Sequence, residues 1–418
     1  MKIILCTLLS LISLGIACVD PPEPEIGKRW VLNLQYSDEF NGTELDIKKW
    51  RNSYVGWQGR TPGFFSPDAV SVNNGMLQIK NGILDKSVEA HVKSDKYTIK
   101  GGAVQSLEKT AHFGYYEASF KASRIPMSTT FWMSNGKVPV DFATKISDDN
   151  CTKDQFSQEL DIAESIGGHI SRGDKFRKNM NFNTHYRYID CAGGKEKFYS
   201  AGNNAVEGDG QITNAQLNSE SWEEFHTYAA YWKNANEVAF YADNNFIGDV
   251  FIRTDVVDEP FPRPMGINMV TETYDWATPY PTNEELTDDT INTSYYDWVR
   301  AYTLVDIDAE ERNTENYKGA GTEIYQEEIR FFEAPSIAKG KLKIPYVYKA
   351  NTDRLLTVKV MDTENNIVFE TSMTLLAGYG KDIATIVSDN FKAGTAYTFI
   401  GELTTPDGQT VIANTIKK

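Results

Sequence analysis

Cysteine and positive charge are what this chain has least of. Four cysteines stand among 418 residues, at positions 6, 18, 151 and 191. Lys and Arg number 42 against 58 Asp and Glu. Loss of residues 1–17, argued below, takes Lys2 with it and leaves 41 basic against 58 acidic residues, a formal charge of −17. Such a surface argues against nucleic acid and against a polybasic membrane patch as partners. Beyond the N-terminus no segment is long and apolar enough to cross a bilayer. Repeats and low-complexity tracts are absent. Helical periodicity is almost missing too, which points to an all-β protein.

What is present begins with Met1-Lys2 and the apolar run Ile3 to Ala17, followed by Cys18. This reads as a secretory signal peptide, too short for a spanning helix. Its position and flanks resemble a bacterial lipobox, in which Cys18 becomes the lipidated N-terminus and the segment to residue 29, opening on the proline- and acid-rich Val19–Glu25, serves as a tether. Leu14 departs from that pattern, standing four residues before the cysteine instead of three. Export is therefore expected, with a lipid anchor to the outer membrane or cell surface as the only membrane contact and plain or periplasmic secretion as the alternative. Cys151 and Cys191 remain. Export lets them pair, and a disulfide would order the polar loop Ser147-Asp148-Asp149-Asn150; two buried thiols are the other reading.

From Trp30 to residue 306 the chain shows short alternating runs broken by Gly, Pro and Asn turns, such as Met76–Ile79, Gly114–Phe120, Thr227–Trp232 and Val238–Ala242. Asn73-Asn74-Gly75 and Asn244-Asn245 read as hairpin turns. A large antiparallel sandwich fits. Residues 307–334 are acidic and polar and read as a linker or peripheral segment. Alternation resumes over 335–418 in six candidate strands with a Pro406-Asp407-Gly408 turn, which suggests an immunoglobulin-like sandwich serving as a spacer.

Glu159-Leu160-Asp161-Ile162-Ala163-Glu164 places three carboxylates within six residues of an apolar run. Strict alternation puts Glu159 and Asp161 on one face and Glu164 on the other. A single β-bulge would reset the parity and gather all three on one face. The two glutamates could then bring their carboxyls to the roughly 5.5 Å separation of a retaining glycosidase. Three acids so close cannot all ionise easily, so one would keep a proton near neutral pH, as a general acid requires. A calcium site or a solvated acidic loop fits the spacing equally well.

Six stretches bear on that choice. In order they are Ser37–Gly42 with Leu45-Asp46 and Lys49-Trp50; Gly114–Ala118; Phe131-Trp132-Met133; the acid hexapeptide; Trp222–Tyr228; and Tyr296–Tyr302. Together they resemble the family 16 glycoside hydrolases. The resemblance implies a jelly-roll sandwich with a concave cleft, an acid motif with one extra residue, Glu159 as nucleophile, Glu164 as acid/base and Asp161 as the residue tuning their protonation. It also implies no catalytic cofactor, a monomer acting on polysaccharide, and a structural Ca²⁺ site at Glu39, the Gly75 region and Asp297.

Within that family the likeness is to agarases and porphyranases. It is carried by Trp57–Gly63, Met127–Met133, and Glu272–Trp276 followed by Asn283–Leu286. Trp57, Trp132 and Trp276 offer faces on which pyranose rings stack, and Glu272 can accept from sugar hydroxyls. Trp222, Trp232 and Trp298 are expected in the core. Arg60, three residues after Trp57, suits a sulfated sugar, since a guanidinium grips sulfate bidentately. Screening over about 8 Å lets such a local cation act despite the negative surface. Arg124, Arg172, Arg177 and Arg187 are further basic candidates. His185 reads either as a polar contact to substrate or as a structural histidine, and His226 as structural. The expected activity is retaining endo-hydrolysis of β-1,4 bonds in a red-algal galactan, porphyran first and agarose second. Carrageenan or furcellaran hydrolysis and a non-catalytic glycan-binding surface lipoprotein are the alternatives.

Overall fold

A computed structural model describes residues 20–90, 95–140, 153–191, 194–203, 212, 215–311, 324–388 and 394–417. The signal segment, Cys18 and Cys151 lie outside the described residues; Cys191 is disulfide-bonded.

Period-two alternation builds two stacked sheets. In Ser128–Ser134, Phe131 and Met133 enter the core while Thr130, Trp132 and Ser134 take the other face. The inner sheet runs Lys197–Gly202, Asn183–Ile189, Asp154–Ile166, Ser128–Ser134, Gly266–Thr271, Lys96–Ser106 and Trp50–Arg51, each strand antiparallel to its neighbour. The outer sheet includes Glu237–Ala242, His226–Asn234, Gly114–Lys121 and Thr293–Asp306. Between them lie Leu77, Ile79, Val104, Phe120, Leu160, Ile162, Phe182, Tyr228, Trp232, Phe240 and Val299, all fully buried. Each large side chain there contributes about 1.5–3 kcal/mol of transfer free energy. This is the expected sandwich. Its inner sheet presents a broad face that is free to carry a site.

The first hairpin turns at Asn74-Gly75, φ 54° and 73°, as the sequence suggests. The second turns at Asp243-Asn244, φ 47° and 67°, one residue earlier than expected. Aspartate tolerates the left-handed region nearly as well as asparagine, so the dipeptide alone does not fix the register.

The C-terminal residues form a second sandwich. One layer is Ile367–Leu375, Arg354–Met361, Thr398–Thr404 and Thr410–Lys417. The other, Gly378–Val387, Lys341–Ala350 and Glu328–Phe331, extends the outer sheet of the large domain. Glu328–Phe331 therefore corrects part of the linker expectation: it is a strand, and Ile324 and Tyr325 ahead of it are buried. The junction is Lys28–Leu32, which pairs with Thr293–Asp306 on one side and Gly378–Val387 on the other. Trp30 lies opposite Leu304 and Tyr379, in a cluster with Tyr115, Tyr302, Tyr325 and Val347. Arg29 is fully buried there and donates to the carbonyls of Ala377 and Ile307. The preceding segment is tied down by Asp20–Lys349 at 2.6 Å and by Glu23 to Arg330 and Lys381, each at 2.6 Å.

Candidate active site

The strand Asp154–Ile166 carries the acid hexapeptide, and its pairing with Ser128–Ser134 slips by one residue between Asp161 and Ala163. Glu159 faces Ser134, Asp161 faces Trp132, and after the slip Ala163 faces Phe131 and Glu164 faces Thr130. Ile162 is the extra residue. It turns into the core, and Glu159, Asp161 and Glu164 all line one cavity of about 250 Å³.

The partners of the three acids differ. Arg187 donates to Oε2 of Glu159 at 2.8 Å. His185, directly across from Glu159 on the neighbouring strand, places Nε2 3.0 Å from Oδ2 of Asp161. Tyr274 donates to Oε1 of Glu164 at 2.9 Å. Burial raises all three carboxyls, but for Glu159 it is outweighed by the charges of Arg187 and then His185, so this acid ends below its ordinary value. Asp161 is raised by burial and by the neighbouring Glu159, with His185 opposing. Glu164 is pushed up to about 7, by burial first and by the charge of Asp161 second. Near neutral pH the face thus holds one anionic glutamate and one poised between its protonated and ionised forms, the pair that nucleophilic and acid/base work at a glycosidic bond requires.

An aromatic wall flanks the acids. Tyr54 stacks on Trp132 at 5.7 Å, Trp57 meets Tyr54 edge-on at 5.3 Å, and all three line the cavity. Arg60 reaches in between Trp57 and Tyr274, 3.4 Å from Glu272. Glu272 is buried and pushed up to about 8, because burial outweighs the attraction of Arg60. Trp276 stacks on Tyr274 at 4.6 Å but stands beyond the cavity holding the acids.

Several expectations change. His185 is turned to Asp161 and stacks on Phe198, so the histidine orients an acid and does not line the cavity. Arg187 lines it, whereas Arg177 is bound to Asp174 and Glu220 in a separate depression, where Arg124 covers Trp222. Trp222 is only partly buried there, unlike core Trp232 and Trp298. Tyr54 and Tyr274 were not singled out by sequence reading. Tyr274 was within reach of it, since it follows Glu272 by two positions and so shares its side of an extended chain; Tyr54 carries no such signal.

The expected calcium set fits poorly. Both oxygens of buried Glu39 accept from Arg300, at 2.7 and 3.0 Å, so a guanidinium already neutralises this carboxylate. Gly75 serves the hairpin turn, and Asp297 is raised by burial and then by Glu39. Ca²⁺ takes roughly six to eight oxygens, preferably anionic, and an arginine among them repels it. Elsewhere, Glu159, Asp161 and His185 bring potential ligand atoms within 4.8 Å of one another. There, too, Arg187 and His185 already balance the charge.

A family model described as β-porphyranase A–D, GH16 domain, matches residues 30–304, and one described as porphyranase-associated domain matches residues 329–413. β-Porphyranase E of Zobellia galactanivorans is 44% identical over 283 residues, 68% of this chain and 91% of that protein. β-Porphyranase D of the same organism is 38% identical over 368 residues, 86% of this chain and 81% of its own. Among solved structures, a β-porphyranase from the human gut bacterium Bacteroides plebeius is similar with a TM-score of 0.62 at 42% identity, covering 69% of this chain and 96% of that one.

Proposed function

Since this chain belongs to the GH16 β-porphyranase A–D family and is a glycoside hydrolase, we propose that it is a retaining endo-hydrolase of β-1,4-galactosidic bonds in a red-algal galactan, porphyran before agarose. Glu159 attacks the anomeric carbon and forms a glycosyl ester while Glu164 gives its proton to the departing sugar oxygen. Glu164, now a carboxylate, then takes a proton from water, which hydrolyses the ester and restores both groups. Asp161, oriented by His185, keeps negative charge beside Glu164 and so helps to hold the proton there. The observation that carries this reading is the bulge that brings two glutamates to one face, one held by Arg187 and the other by Tyr274.

The substrate follows from the wall. Trp57 and Trp132 offer faces for galactose rings, and the Arg60 guanidinium between Trp57 and Tyr274 suits a sulfate ester. Relatives named β-porphyranase support the same choice. The test is release of new reducing ends from porphyran, agarose, κ-carrageenan, furcellaran and laminarin, with Glu159→Ser as the control. Porphyran should be cut fastest and the variant should be inactive. Cleavage that survives Glu159→Ser sinks the mechanism, and turnover of laminarin alone sinks the galactan assignment.

A further inference from the structure

The outer sheet turns its solvent face away from the acids, and a cation sits there between two aromatic rings. Phe120 and Tyr296 enter the core, so alternation turns Lys121 and Tyr295, which are register partners, outward. Phe225, exposed just ahead of the strand His226–Asn234, stands on the far side of Lys121. The Lys121 ammonium lies 5.3 Å from the Tyr295 ring centre and 5.6 Å from that of Phe225. Both rings are therefore within reach of one bound sugar chain. Three residues on, the same two segments form another such pair: Arg124 lies 4.2 Å from the Trp222 ring centre, at a depression of about 670 Å³ that also takes in Tyr280 and Ile291.

The two segments are held in place. The Ala122 amide donates to the Ser221 carbonyl, the Arg124 amide to that of Ile291 and the Ser221 amide to that of Arg177, each at 2.8 Å. Gly167 lets the tryptophan turn come close, since a Cβ there would collide with the Ser123 carbonyl oxygen and stand 3.1 Å from Cβ of Trp222. A cation on an aromatic ring is a common surface contact and by itself asks for no ligand. Here two such pairs adjoin, and neither Lys121 nor Arg124 has a carboxylate partner among the described residues. Two acids of the turn are engaged elsewhere: Glu220 accepts from Trp222 and pairs with Arg177, and Glu223 accepts from the Glu220 amide. Rings give pyranoses a face to stack on, and an uncommitted cation beside them takes a sulfate ester. None of these residues lines the cavity that holds Glu159 and Glu164.

We propose that Lys121, Phe225 and Tyr295, continued by Arg124 and Trp222, form a second polysaccharide site outside the cleft, which holds a sulfated galactan chain without cutting it. The inference rests on the galactan-hydrolase reading above and adds a hold on the polymer. A chain kept at this surface after one cut meets the cleft again before it diffuses away, because tethering raises its effective concentration. Oligosaccharides too short to reach both places gain nothing.

The test compares wild type, the double variant Lys121→Ala/Arg124→Ala, and Phe225→Ala on polymeric porphyran, short porphyran oligosaccharides and polymeric agarose. Turnover is read as kcat and KM, and binding as retardation in gels holding each polymer, with Glu159→Ser added to every protein so that nothing is cut. The double variant should lose about tenfold in kcat/KM on polymeric porphyran, mainly through KM, as expected for lost hydrogen bonds to a charged group. Its kcat/KM on the short oligosaccharides should not change. Porphyran should retard both variants less than wild type, whereas agarose, which is neutral, should retard only Phe225→Ala less. Unchanged KM and retardation on polymeric porphyran, with a wild type that cuts it, overturn the second site alone. So does an equal loss on short oligosaccharides, which would place the effect in the cleft or the fold. An equal loss of agarose retardation in the double variant overturns the preference for sulfate. A wild type that cuts neither galactan overturns the reading beneath it. Should the alanine variants unfold early in urea, Lys121→Gln/Arg124→Gln carries the same comparison.

Discussion

Tyr274 donates to the one carboxyl whose proton the chemistry needs, and a donor on a carboxyl favours its ionised form. In the proposed mechanism Glu164 works as an acid only while protonated, so activity is expected to fall as pH rises through its value of about 7. Removing the hydroxyl should raise that value further. Tyr274→Phe is therefore expected to move the alkaline limb of kcat/KM upward by on the order of 0.5–1 pH unit. The acidic limb, set by Glu159 and its partner Arg187, should stay in place. Paired pH–rate profiles check this; a downward shift would mean that Glu164 is not the acid. At this scale the acids were legible through the stretches on either side of them, since the hexapeptide alone fits a calcium site or a solvated loop equally well. The partners were not. Arg187 and His185 come from a strand that begins nineteen residues beyond Glu164, and each reaches an acid diagonal to its backbone partner: Arg187, opposite Ser157, holds Glu159, and His185, opposite Glu159, holds Asp161.

The acid strand turns on the single residue Ile162. Its side chain is fully buried in the core, and the bulge that absorbs it keeps Glu164 on the cleft face. Deleting Ile162 leaves Glu159 and Glu164 four positions apart, so plain alternation holds all three acids on that face without a bulge, while the core loses one large side chain. The expected outcome is a protein that still cuts galactan but is destabilised by about 3 kcal/mol, read by reducing-end assay and urea unfolding. A shortened protein that folds and has lost all hydrolysis would show that the bulge does more than correct parity. The slip was readable in advance as a condition, since parity requires one if the three acids are to share a face. The strand Glu328–Phe331 was not, being four residues long within an acidic run and ordered by pairing with Lys341–Ala350 and by packing on the facing layer.

Across the whole molecule, alternation announced two sandwiches but gave no hint that they share a sheet. That fact rests on Lys28–Leu32, five residues whose two neighbours in space lie some 275 and 350 positions away in sequence. A protein ending at residue 311 would uncover Trp30, Tyr115 and Tyr302, which are now almost fully buried. It should lose on the order of 5 kcal/mol of stability in urea unfolding relative to the full chain. An unchanged midpoint would show the C-terminal sandwich to be a mere appendage. The same strand also imposes a timetable. Contacts this distant close late, because the intervening chain must first be ordered. A polypeptide emerging N-terminus first holds Trp30 and Arg29 without their partners at residues 377–381 until some 350 further residues have appeared. The first strand can thus be paired on both sides only after much of the C-terminal sandwich has been made, and a chain cut short before residue 377 would be left with that strand half-paired and exposed to proteolysis.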